Sequence, residues 1–525
     1  MNERGNPPPG RSAVTRRTIL LGMAGLGAGT LLSGCRLAVA EARGDTGAGD
    51  GPRAGGTLMV AVNSDPAPAA AQSQLTTSMT WRRLVFETLS SYDDNGVPQP
   101  ALATGWELGE GGRVVTIDLR RDVLLHSGRP MDARDVMYSL KRPAEPASGS
   151  QVRSIAALIT DMTADDPWTV RVRLSRPAAN LFDLFELASI IDHESGAGLA
   201  DGSAVIGTGP FRWESWVPGS SLSMVRNPHY RVQGRPYLDR IQQTTIGDAT
   251  ALVTAVRGSR AQVAYGTAPL DAKGLSADGR FTVVPSAAAA YSVGITVTEA
   301  PFTDVRVRQA IGYAIDRERI NSSVFAGYGE ASSLWWTRRD PGWSEAQSRA
   351  YTFDPDRARA LIEQAGAVGS EVVFDVRSIL AVRSMAEIVR YDLENVGLRV
   401  RIQALDDVTF NQRLAAGKLS ALWASAFGLA DIGAVTFASS VPAFLPSRNA
   451  SRFDSAEYRR LVDAALTADE PNRASSVRAI GSFIHEQAFD HCVVVAPLMT
   501  VQSRRLRDAG KTALGALRLD DAYLV

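Results

Sequence analysis

Cysteine is almost absent: the 525 residues hold two, Cys35 and Cys492. With one thiol outside the N-terminal region there is no intramolecular disulfide framework, so stability has to come from packing. Cys492 opens onto Val493, Val494 and Val495, a setting for a buried structural thiol rather than a reactive one. Histidine is scarce as well, with five residues, and histidine is the commonest metal ligand and acid–base group. His485-Glu486 starts like a zincin helix, but the next histidine, His491, is six positions on. On a helix the two rings would lie about 120° apart instead of on one face. His193-Glu194 has no partner histidine at all. Neither a metal nor a cofactor is expected.

Net charge is also missing, with 56 basic and 56 acidic residues. Removing residues 1–34, which carry four arginines and one glutamate, leaves a small acidic excess and no electrostatic footprint for nucleic acid or an anionic membrane. Nucleophile elbows are lacking: Pro218–Leu222 and Gly274–Asp278 both miss the second glycine. Gly207-Thr208-Gly209-Pro210 puts proline where a phosphate loop needs helix N–H groups. Carboxylate pairs such as Asp406-Asp407 are common on solvated surfaces and specify nothing. A chemically quiet chain of this size points to binding rather than catalysis.

What is present begins at the N-terminus. Arg16 and Arg17, followed by Thr18, Ile19 and Leu20, have the spacing of a twin-arginine export signal. The uncharged stretch Ile19–Leu32 has 14 residues, short of the roughly 20 that span a bilayer as a helix. Leu32-Ser33-Gly34-Cys35 looks like a bacterial lipobox, with Cys35 as the lipidated first residue of the mature chain. Each buried CH₂ of an acyl chain contributes about 0.8 kcal/mol, so two chains hold a protein durably at a membrane surface. Residues 1–34 therefore read as a signal peptide and 35–55 as a flexible Gly/Ala/Asp-rich tether.

From Gly56 onward the chain shows alternating elements. Strict alternation at Val170–Leu174 and Leu398–Ile402 predicts strands with one wet face. Val307, Ala310, Ile311, Ala314 and Ile315 recur at helical spacing behind Thr303 or Asp304 as the cap. Asp354-Pro355 predicts a second capped helix ending at Gly366, and Met385, Ile388, Val389 and Leu393 a third ending at Gly397. This is α/β construction with a mixed sheet.

The run Ile206–Phe211, then Trp216–Gly219, Arg226–Tyr230 and Gly234–Ile241, resembles the extracellular solute-binding proteins of peptide/nickel-type ABC importers. Phe302–Ala310 with Tyr313–Arg317 is a second strong match, and matching segments run from about residue 56 to 500. The resemblance implies a periplasmic-binding-protein-like (type II) Venus flytrap of two α/β lobes. Lobe I would be residues 56–288 with a C-terminal return at 496–525 and an additional subdomain at about 91–200; lobe II would be 289–495. It implies a monomer that captures oligopeptides or a related small polar solute in the interlobe cleft and hands it to an ABC permease and its ATPase. Lipidated Cys35 would hold it on the outer face of the cytoplasmic membrane. An exported hydrolase on the same frame and a ligand-sensing lipoprotein without a permease are the alternatives.

By the same resemblance, Asp431 is the candidate partner of a ligand ammonium, although the Asp-Pro pair usual in relatives just after it is replaced by Ile432-Gly433. Arg377 is the candidate for a ligand carboxylate, since its planar fork binds carboxylate in two places. Trp423, Phe427, Trp335 and Trp336 are candidate aromatic walls of the cleft.

Overall fold

Two long strands, Phe281–Ile295 and Asp490–Ser503, pair antiparallel along nearly their full length and run through the middle of an eleven-stranded sheet. The computed structural model describes residues 51–73 and 79–525. Arg16, Arg17, Cys35 and most of the expected tether lie outside the described residues. On one side of the long pair the sheet continues through Leu422–Phe427, Glu371–Arg377 and Arg399–Leu405, mutually parallel. On the other it continues through Val263–Thr267, Thr57–Val62, Arg240–Thr245, Ser221–Arg226 and Phe211–Val217. The short strand Glu330–Ala331 joins Asp490–Ser503 off this path.

The ladder slips its register near the centre, where Pro285 faces Met499 and Ala288 faces Pro497, and shifts again between Tyr291 and Ser292. Proline supplies no N–H to a ladder, so a break between Pro285 on one strand and Pro497 on the other is what the covalent chemistry dictates. The slip at the prolines separates two sets of cores. Beyond it, Val293, Ile311, Phe374, Val389 and Val493 share one core, and Trp335, Trp423, Phe437, Tyr458 and Phe489 another. Before it, Leu58, Trp81, Phe211, Ile241 and Leu519 pack together, as do Leu252, Val256, Leu275 and Val501. Leu102, Ile117, Val136, Val172 and Phe185 form a fifth core on a separate four-stranded sheet of Ala103–Gly109, Val114–Leu119, Thr169–Leu174 and Ile159–Asp166.

Local chemistry accounts for the elements. Asp304 accepts from the Arg306 N–H at 2.8 Å to open the helix Val305–Ala314. Asp354 accepts from the Arg357 N–H at 2.9 Å ahead of Pro355–Gln364. Each cap satisfies a donor the helix cannot use itself. In Leu380–Asn395, Met385, Val389 and Leu393 face inward, as their spacing requires. Gly207 and Gly209 are needed for close approach, since a Cβ there would lie 2.3 Å from the Val85 carbonyl and 2.5 Å from that of Leu84. Cys492 is buried and its thiol is pushed up by burial, an inert core sulfur. No helix among the described residues is long and apolar enough to cross a membrane.

Candidate functional site

A cavity of about 360 Å³ opens where three distant parts of the chain converge. Tyr92, Val97 and Phe182 come from the first two hundred residues, Leu514 from near the C-terminus, and Arg339, Asp340, Asp431 and Arg473 from the half beyond the register slip. That size is at the lower end for small-molecule pockets.

Asp431 follows the central strand Leu422–Phe427, and the chain reaches it through Leu429, whose φ of +83° is a conformation leucine rarely adopts. Its Oδ2 accepts from the Ala288 N–H at 2.7 Å, so the carboxylate is tied to the crossing strand at the slip. Burial pushes this carboxyl up, opposed by the Ala288 N–H, Arg339, the Thr337 hydroxyl and Lys511. Asp340 accepts from the N–H groups of Gly342 and Ala434, each at 2.7 Å, and thereby satisfies the start of the helix Ala434–Ser440 from a distant segment. Arg339 donates to the Ala513 carbonyl, and Arg473 lies 4.0 Å from the exposed Glu470.

At the rim, Tyr92 donates its hydroxyl to Asp183 at 2.6 Å, and Thr436 donates to the other carboxylate oxygen. Burial pushes Asp183 up to about 6.

Of the residues singled out in the sequence, Asp431 lines the cavity and the others do not. Arg377 ends the strand Glu371–Arg377 and forms a two-pronged pair with Asp407, at 3.0 and 3.1 Å. Trp335, Trp336 and Trp423 are fully buried and Phe427 nearly so, within one core of the second half. Trp335 spends its indole N–H on buried Asp490 at 2.6 Å. Trp423 folds over Gly294, where an added Cβ would lie 1.9 Å from the indole. The physical reason is position in the sheet. Leu422–Phe427 is a strand with both faces covered, so its aromatics pack inward and do not wall the cleft in this structure. Tyr92, Arg339, Asp340 and Arg473 went unrecognised in the sequence; only the Asp340-Pro341-Gly342 turn signature was available to mark one of them.

Other clusters are saturated. A cavity of about 390 Å³ lies wholly on the first half, around His126, Arg212, Trp213 and Glu214. His126 uses both ring nitrogens there, on the Gly209 carbonyl at 3.0 Å and the Gly207 N–H at 3.3 Å. Asp132, Asp135 and His193 bring ligand atoms within 4.8 Å of one another, but Arg129 already bonds Asp135 at 2.5 Å and also Asp192. That cluster is an ion-pair network with its cation built in. His485 and His491 each bond a carbonyl at 2.8 Å, of Ser333 and Arg308, and only His485 is helical.

Residues 97–439 match the family pattern of bacterial extracellular solute-binding proteins, family 5. The glutathione-binding protein GsiB of Salmonella paratyphi A is 26% identical over 347 residues, covering 63% of this chain and 66% of that protein, just under two thirds of its length. Heme-binding protein A of Haemophilus influenzae is 24% identical over 449 residues, covering 76% of this chain and 80% of that one. In three dimensions the peptide complex of DppA from Helicobacter pylori matches with a TM-score of 0.76 at 20% identity, over 90% of this chain and 98% of that one. The agropinic acid complex of AgaA from A. tumefaciens R10 matches at 0.77 and 20%, over 90% and 99%. The fold is thus the type II two-lobe binding-protein fold with an added subdomain, and the neighbours are binding proteins rather than enzymes. The chain belongs to family 5 of the bacterial extracellular solute-binding proteins.

Proposed function

We infer that this protein captures oligopeptides or a related small polar solute in the cavity between its lobes and delivers it, as a monomer, to an ABC permease, from a lipid anchor at Cys35. In this reading residues 56–288 and 496–525 form lobe I, 289–495 form lobe II, and the register slip at Pro285–Ala288 is the hinge. The carrying observation is that the cavity holding Asp431 draws its walls from both sides of that slip, so a bound solute contacts both lobes at once. A ligand favours closure only as far as it binds the closed form better than the open one, and a wall built from two lobes supplies that difference.

Asp431 is the partner for a cationic ligand group. Arg377 contributes to the cleft only if a ligand carboxylate displaces exposed Asp407 from its fork.

Native mass spectrometry of protein purified from its own host tests the reading: a retained peptide or polar solute is expected, and one converted by the purified protein into products refutes it. Asp431→Ala is expected to weaken a cationic ligand by about 2–5 kcal/mol, as loss of a buried charge partner does; unchanged calorimetry removes Asp431 from the site. Cys35→Ala is expected to release the protein from membranes, and retention in the membrane fraction refutes the anchor.

A further inference from the structure

Beside the cavity, at the mouth of the cleft, the lobes meet through a set of contacts in which Asn180, Asp183 and Thr436 are not themselves among the lining residues. Asn180 and Asp183, at the start of the helix Leu181–Leu187, face Thr436 on the helix Ala434–Ser440. The Asn180 amide donates to Thr436 Oγ1 at 2.7 Å, and that hydroxyl donates to Asp183 Oδ2. Tyr92 holds the other oxygen of Asp183. Asn180, Asp183 and Thr436 are each at most 2% exposed. Flanking them, the Ala179 N–H donates to the Leu466 carbonyl at 2.8 Å, Arg176 pairs with Asp463 at 2.8 Å, and Ser154 meets Ser440 at 2.9 Å. The Thr436 hydroxyl has a single proton, which goes to Asp183, while it accepts from Asn180, so the three-residue contact depends on how the two helices are placed. Asp183 itself forms no ion pair among the described residues; two hydroxyl donors hold its charge.

We propose that Asn180, Asp183 and Thr436 form a clasp that positions the lobes in the closed arrangement whatever the cargo, and that the clasp takes up a proton as it engages. Closing moves the Asp183 carboxylate from water into a site without a paired cation, which disfavours its charged form. The groups facing it are Tyr92 from the neighbouring strand, Glu186 one turn on and held by Arg83, and Asp340 and Arg473 from the second lobe. Asp340 pushes Asp183 up and Arg473 draws it down; the helix Ala434–Ser440 brings no titratable group. The balance leaves Asp183 at about 6 when closed, against an ordinary 3.8. A carboxyl raised on closing binds its proton more tightly closed, so closure gains as pH falls through 6 and loses that gain above it. If opening restores the ordinary value, the closed-to-open ratio rises about tenfold between pH 7.5 and pH 5.

Amide hydrogen exchange on the full chain without added solute tests this, because the Ala179 N–H has its acceptor across the mouth. After correction for intrinsic exchange rates, protection of residues 176–187 is expected to rise about tenfold from pH 7.5 to pH 5. Thr436→Val, which keeps the shape and removes the hydroxyl, is expected to lower protection, with Asn180→Ala as the second variant should the first fold poorly. Asp183→Asn, a neutral mimic of the protonated carboxyl, is expected to stay protected at both pH values. Equal protection in wild type and both clasp-breaking variants overturns the clasp, and so does a fall in melting temperature with an unaltered pH profile. A pH rise that survives in Asp183→Asn overturns the assignment of the proton.

Discussion

Two of the places where the lobes meet are built in different ways. At the crossing they share a backbone ladder between Phe281–Ile295 and Asp490–Ser503, interrupted near Pro285 and Pro497 and shifted again between Tyr291 and Ser292. At the mouth they share mostly side chains, Asn180 and Asp183 against Thr436 and Arg176 against Asp463, with the single backbone bond from the Ala179 N–H to the Leu466 carbonyl beside them. A ladder flanked by fully packed cores survives rotation about its break, because only a few residues change their φ and ψ. Side-chain contacts at a rim separate one by one and each leaves a solvated group behind. With the hinge proposed at the slip, opening would spend mouth contacts and spare the crossing, and mutations in the two regions should register in different measurements.

The largest expected effect is at the crossing. Trp335→Ala removes a fully buried indole and leaves Asp490 with only the Ser292 hydroxyl, at 3.2 Å, as a side-chain partner. A loss of about 3–5 kcal/mol in global stability is expected from urea unfolding, with the exchange pattern at the mouth unchanged. Equal loosening of residues 176–187 would erase the distinction between the two regions.

Acid comes next and should act on the two regions with opposite signs. Burial lowers His491 to about 3 and His485 to about 4, so the folded second lobe refuses protons that the unfolded chain accepts below 6.5. Stability present above 6.5 is lost on descending toward those values, on the order of 3 kcal/mol by pH 4 for His491 alone. At the mouth Asp183 is raised, so acid favours the closed contact. Urea midpoints falling with pH while mouth protection rises would sharpen the contrast; parallel trends would break it. The smallest effect is local: Asp354→Ala removes one helix cap and should lower the unfolding midpoint by about 1 kcal/mol without altering closure.

Much of the fold was legible residue by residue. The caps at Asp304 and Asp354, the stripe through Met385, Val389 and Leu393, and the strands at 169–174 and 399–405 follow from contacts within a few positions of each other. The site was legible only at Asp431, and there through the resemblance rather than through any local pattern. Trp423 and Trp335 carry the same sequence signal whether they face solute or core. The covered strand and the buried Asp490 carboxylate decided that they face core. Arg377 has a fork suited to a ligand, yet Asp407, thirty residues on, occupies it.

By itself the sequence determined the alternation of helices and strands, the absence of a disulfide scaffold and the lack of a metal or nucleophile motif, because each is set by residue type and near-neighbour spacing. Tertiary structure alone decided which charges share the cavity and how the mouth is fastened. Tyr92, Asp183 and Thr436 are separated by 91 and 253 positions, and their bonds exist only once burial has removed water as the competing partner.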